Sequence, residues 1–105
     1  MVARVTLAEV DAVRMNMDAA VELYKESVVP VLREQDGYEG CYVLTTPAGK
    51  ALVLTLWESE ESAVAGVESG YYGAQLAKFV TFFHAPPGRE TYDVSFADVS
   101  AIAIE

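Results

Sequence analysis

Cysteine, histidine and tryptophan occur once each (Cys41, His84, Trp57), basic residues number only seven, and no apolar run approaches the length of a membrane span. Each scarcity removes a class of function. A lone cysteine makes no internal disulfide, and Cys41 lies in an apolar run where a reduced, buried small residue is the expected state rather than a reactive thiol. One histidine and one cysteine do not by themselves build a usual zinc or haem-ligand set, and no paired-cysteine signature, phosphate loop, dinucleotide glycine fingerprint or nucleophile elbow is present. Seven basic against sixteen acidic residues give a formal charge of -9, which repels phosphate backbones and anionic lipid, so neither nucleic acid nor a membrane is expected as partner. The start Met1-Val2-Ala3-Arg4-Val5-Thr6 does not read as a signal peptide. Without a span of roughly 20 apolar residues, the expectation is a soluble, cytoplasmic protein.

Apolar side chains, by contrast, are abundant: 52% of 105 residues, with aromatics at 10%. A chain of this length makes one domain, residues 1–105, around one core. It carries more apolar surface than so small a core hides, which points to an oligomer, a ligand cavity or both.

The organising stretch is Ala51 to Glu61. Its aliphatic and β-branched residues form a strand with Val53, Thr55 and Trp57 on one face and Leu52, Leu54 and Leu56 on the other. Ser59 then caps a helix whose first turn carries Glu60 and Glu61. Upstream, Val2 to Val10 favours a strand. Asn16 or Asp18 caps a helix in which Ala20, Leu23, Tyr24, Ser27, Val28 and Val31 follow three-and-four spacing. Pro30 lies inside that helix and predicts a kink near Glu26 to Pro30, which either wraps the helix around the sheet or props it off to leave a cavity. Asp36-Gly37 ends the helix. Tyr38 to Thr46 forms a strand with Tyr42 and Leu44 on one face, and Pro47 to Lys50 turns it into the Ala51 strand as a hairpin. Gly66, Gly70 and Gly73 break the following helical region into two short helices. Glu90 to Phe96 alternates as a fourth strand, and Val99 to Ile104 alternates again as a spare strand lent to a neighbouring subunit.

Strand, helix, strand, strand, helix, strand is the split βαβ order, giving an α+β, ferredoxin-like βαββαβ domain with an extra C-terminal strand. Both helices cover one sheet face. The bare face, apolar on the Ala51 strand, predicts a homodimer packed sheet to sheet.

For chemistry, the glutamates at 58, 60 and 61 read as a solvated helix start. His84 either satisfies the last helix carbonyls or accepts a proton at a cavity mouth. Tyr24, Tyr42, Thr55, Trp57, Tyr71 and Tyr72 suit a flat, greasy ligand, with Trp57 either a pocket wall or plain core. Trp57, Thr55 and His84 are the candidate catalytic residues, and Tyr24, Val53, Trp57, Tyr72 and Leu76 the candidate substrate-binding ones. No metal ligands are assigned.

Three segments carry a family resemblance: Asp36-Gly37-Tyr38-Glu39-Gly40, Trp57-Glu58-Ser59-Glu60-Glu61 and Ser69-Gly70-Tyr71-Tyr72. With these, nearly the whole chain resembles the antibiotic biosynthesis monooxygenase superfamily of dimeric α/β-barrel proteins. The resemblance implies two ferredoxin-like subunits packed through their sheets with exchange of C-terminal strands, and a pocket between helices and sheet in each. It further implies oxidation of a phenolic or quinone-like aromatic by molecular oxygen with no metal or flavin cofactor, the deprotonated substrate supplying the electrons. The strand tryptophan of the quinone-forming members matches Trp57, while their asparagine falls on Val53 and their helix tyrosine on Ala63. The haem-degrading branch places a histidine on the later helix, where this chain offers Leu76 and its neighbours. A non-catalytic dimeric binder of a small apolar metabolite is the alternative.

Overall fold

The computed structural model describes residues 1–11, 13, 16–68, 70–79 and 88–100. Strand β1 (Val2–Glu9) leads into α1 (Met17–Leu23), a π-helical turn (Tyr24–Val28) and α2 (Val29–Arg33), followed by the hairpin β2 (Tyr38–Thr45) and β3 (Lys50–Trp57). Two short helices, α3 (Glu60–Glu68) and α4 (Tyr71–Ala77), precede β4 (Gly88–Asp93). The four strands form one antiparallel sheet in the order β2-β3-β1-β4. This is the ferredoxin-like α+β arrangement that the element order predicts.

Local chemistry explains the boundaries. Asn16, not Asp18, caps α1: its Oδ1 accepts the Ala19 N–H at 2.7 Å. Ser59 Oγ accepts the Ser62 N–H at 3.2 Å and opens α3. Of the three glycines expected to interrupt the later helical region, only Gly70, at φ +84, stands between helices. Gly66 lies within α3 and Gly73 within α4, where each gives up helix propensity without breaking the hydrogen-bond ladder.

The irregularity expected near Glu26 to Pro30 takes the form of the π turn. Pro30 has no N–H, and its ring clashes with the carbonyl four residues back in α geometry. Widening the preceding turn relieves the clash, and Val29 N–H reaches back to Tyr24 O. The helix thus continues to Arg33 with one loosened turn in the middle.

One expectation about the strands needs correction. The fourth strand ends at Asp93, not Phe96, because its pairing partner runs out: Asp93 sits opposite Val2, and Val94 N–H makes a last bond to Met1 O at 3.0 Å. Phe96, beyond that point, is 84% exposed. Tyr38 lies opposite Trp57, and a bulge between Tyr38 and Gly40 shifts the register of β2 on β3. The spare C-terminal strand falls largely on residues 101–105, outside the described residues. Cys41 is half-buried and packs against the core.

The turn after α2 brings β2 close to α3. Gly37 has φ +80, its carbonyl accepts the Glu58 N–H at 2.7 Å, and a Cβ there would lie 2.6 Å from Ser62 Cβ. Gly37→Ala is therefore expected to lower unfolding free energy by about 2 kcal/mol, combining left-handed strain with a forced displacement of Ser62. Gly73→Ala, with nothing within 4 Å of the new methyl, should leave stability level or raise it by about 0.5 kcal/mol. Urea midpoints of the two variants, compared with the parent, check this; equal midpoints would refute the Gly37 contact.

Candidate functional site

Helix and sheet meet tightly at one end and stand apart at the other. At the tight end Val28, Leu32, Trp57 and Ala63 form the buried cluster, with Tyr24, Tyr38, Cys41 and Phe79 packed around it. The Trp57 indole is 1% exposed, and the Tyr38 ring meets it edge-on at 5.7 Å. At the other end the sheet floor is made of small residues, Thr6, Ala8, Ala51 and Val53, beneath Ala20 and Val21 of α1. Side chains of that size do not span the gap set by the large ones next door. A cavity of about 100 Å³ remains, several times what one water needs at about 10–15 Å³.

Cross-strand register determines what the floor presents. Thr6 lies opposite Val53, Arg4 opposite Thr55 and Val2 opposite Trp57, so these six share the helix-side face. Tyr24 and Phe79, with ring centroids 6.4 Å apart, wall the side, and Gln75 closes it near the end of α4. Lys78 ties that end to the π turn: its Nζ donates to Ser27 O at 2.9 Å and to Gln75 Oε1 at 2.7 Å.

Of the residues singled out from sequence, Trp57, Thr55, Val53 and Tyr24 all line this one cavity. His84 and the side chains of Tyr71, Tyr72 and Leu76 lie outside the described residues. Tyr42 does not join the site. It sits opposite Leu54 on the other sheet face and is 41% exposed. Ala63 is fully buried beside Trp57 and contributes its carbonyl rather than a side-chain function.

Sequence reasoning passes over Arg4. The guanidinium is 4% exposed, lines the cavity, donates from Nη2 to Ala63 O, and holds its Cζ 6.0 Å from the centroid of the Trp57 ring. That geometry is within reach of a cation–π contact. The available signal is phase: in a strand the fourth residue shares a face with Val2 and Thr6, and that face is the covered one.

The polar end of the cavity is a short relay. Trp57 Nε1–H donates to Thr55 Oγ1 at 2.9 Å, both groups being buried. The indole proton is thereby spent on threonine rather than on a ligand, and the threonine hydroxyl, made a better donor by the bond it accepts, is left to turn toward the cavity. Among the described residues no cluster of three His, Cys, Asp or Glu side chains is placed to hold a metal ion. Nor is any helix among them long and apolar enough to cross a membrane. Thr55→Val leaves the indole N–H buried without its acceptor and should cost about 1–3 kcal/mol. Thr55→Ser should restore most of that. Urea unfolding followed by near-ultraviolet circular dichroism of the single tryptophan measures both.

No family model and no curated protein sequence matches this chain. Solved structures do. A protein of unknown function from Nitrosomonas europaea is 19% identical over 95% of this chain and 94% of its own, at a TM-score of 0.72. A monooxygenase from the gene ActVA-Orf6 of Streptomyces coelicolor, in complex with nanaomycin D, is 19% identical over 95% of this chain and 92% of its own, also at 0.72. SnoaB, a cofactor-independent oxygenase from Streptomyces nogalater, is 9% identical over 91% and 94% at 0.72. At these identities the likeness is one of backbone architecture, and it agrees with the sheet order and helix placement found here. The chain carries the ferredoxin-like fold of the antibiotic biosynthesis monooxygenase structures.

Proposed function

We propose that the helix-to-sheet cavity binds a flat phenolic or quinone-like molecule and that the protein is a monooxygenase using molecular oxygen without a metal or flavin. The observation that carries this reading is the Trp57–Thr55 hydrogen bond at the end of an otherwise largely apolar slot. Apolar walls bury the ring, and the Thr55 hydroxyl donates to the ring oxygen. The nanaomycin D complex and the cofactor-independent oxygenase on the same fold support a small-molecule occupant and this reaction class.

The chemistry balances without a further reactant. A phenol ionises, and its phenolate gives one electron to dioxygen. The phenoxyl radical and superoxide join at a ring carbon, and the resulting peroxide takes up the proton to become a hydroperoxide. Loss of water leaves a carbonyl, so phenol plus dioxygen becomes quinone plus water. The residues of this chain contribute by stabilising the oxyanion, holding the ring in one orientation and keeping bulk water from the radical pair. Thr55 is the proposed donor to the oxyanion, and the Trp57 ring, which lines the cavity, the proposed wall beside it. His84, which falls outside the described residues, is the proposed proton acceptor, and Tyr72 and Leu76 are proposed as further substrate-binding residues.

A second reading, a non-catalytic binder, is favoured by Val53. It lines the cavity in the middle of β3 and offers no polar atom to a reacting oxygen.

The other sheet face supports a homodimer. Leu7, Leu44 and Tyr92 are 47%, 54% and 52% exposed on it, and Leu52 and Leu54 lie between them. A two-fold copy packed on this face, with C-terminal segments exchanged, covers what the helices leave bare. Sedimentation should then give twice the 11.4 kDa chain mass; a monomer refutes the dimer.

Oxygen uptake with an anthrone and a naphthohydroquinone tests the enzyme reading, and labelled dioxygen should place a single labelled oxygen in the product. Uptake that is absent while either compound raises the melting temperature selects the binder. Val53→Phe should fill the cavity, abolish both responses and leave the fold intact by circular dichroism.

A further inference from the structure

We propose that Ala8 and Ala51 are the length gauge of the cavity, so that its ligand has at least two fused rings, the outer one resting on these two methyl groups. This inference rests on the reading of the cavity as a site for a flat ring and specifies how long that ring system is. Coverage of the cavity floor is uneven along both strands. On β1 and its continuation, Arg4, Thr6 and Val10 are buried, while Ala8, between the last two, is half-buried. On β3, Thr55 and Trp57 are buried, while Ala51 and Val53 are half-buried. Interiors close tightly over side chains of any size. An alanine that stays more accessible than its larger neighbours on both sides therefore lies under a gap and not under a packed roof.

The two alanines are direct partners across the ladder, so the gap spans both strands at one level. Beyond it stands a stop. Val10 N–H donates to Gly49 O at 2.8 Å, and a Cβ on Gly49, whose φ is +97, would lie 2.6 Å from Val10 O. That close backbone contact pins Val10, which lines the cavity just past Ala8. From Thr55, the proposed donor to the ring oxygen, to Ala51 is four residues of strand, roughly 13 Å. A single ring held by its oxygen at Thr55 ends over Thr6 and Val53, short of the alanines. A second fused ring reaches them, and Val10 limits further growth along the strands.

Phenol and 2-naphthol share the hydroxyl and differ by one fused ring, and both are titrated calorimetrically into the intact protein. 2-Naphthol should bind about ten- to a hundredfold more tightly, the range expected from the extra apolar area that it buries. Ala8→Leu and Ala51→Leu, each filling the gap with a branched side chain, should bring that ratio down to about one. Ala51→Ser, which adds little bulk, should keep most of it. Methyl resonances give a readout that needs no variant: in the parent protein 2-naphthol should move the Ala8 and Ala51 methyl signals upfield, as a ring lying over them does, while phenol leaves them in place. If the leucine variants do not fold, these shifts decide. A parent ratio near one, a ratio that survives both leucine variants, or alanine methyls unmoved by bound 2-naphthol overturns the gauge and leaves the cavity reading standing. Equal loss of the ratio in Ala51→Ser and Ala51→Leu also overturns it, since bulk is then not the cause. Failure of both compounds to bind overturns the gauge and the cavity reading together.

Discussion

The Trp57 indole acts as a wedge. Wholly buried, with Tyr38 against its edge and Leu32 and Val28 above it, it sets the distance between the helical layer and the sheet at one end. Interiors close to crystal-like density around large side chains, and a helix that continues past such a contact keeps roughly the same height over the sheet. Where the floor then shrinks to Thr6, Ala8, Ala51 and Val53, nothing fills the difference. The cavity is thus a consequence of unequal side-chain sizes along two neighbouring strands.

The π turn between α1 and α2 fits the same constraint. It begins at Tyr24, which lines the cavity, and ends at Val28, which belongs to the core. The loosened turn therefore coincides with the boundary between the propped and the packed halves of the helix. Pro30 supplies the local cause, since an α-helical course would drive its ring into a backbone carbonyl. Ser27 O of the same turn accepts from Lys78 Nζ, which ties the turn to the segment just after α4.

Much of this was legible in the sequence, and the exceptions share a physical reason. Asn16, Ser59 and Gly37 act through bonds within a few residues of themselves, and the phase of Val53, Thr55 and Trp57 follows from the pleat alone. The hairpin and the first helix were readable for the same reason. Tyr38 was not, because the bulge that turns it inward depends on how β2 is matched to β3. The end of β4 was not, because alternation to Phe96 says nothing about where β1 stops offering partners. Arg4 is the instructive case. Strand phase groups it with Val2 and Thr6, but that the face is covered follows from the sheet order, which puts β1 between β3 and β4 and makes Arg4 a buried cation.

A fold shared at 9–19% identity leaves the reaction to the side chains on its floor. In this chain the floor of β1 and β3 combines a cation, a hydroxyl and an indole at one end with the small side chains of Thr6, Ala8, Ala51 and Val53 at the other. Under the proposed function such a gradient would orient the ligand, the apolar end setting how deep a ring sits and the polar end which oxygen it presents. Arg4 and Thr55 are cross-strand neighbours in the middle of the sheet, and the Ala63 carbonyl of α3 holds the Arg4 guanidinium from the helical layer, so sheet and helix together set the polar end of the cavity.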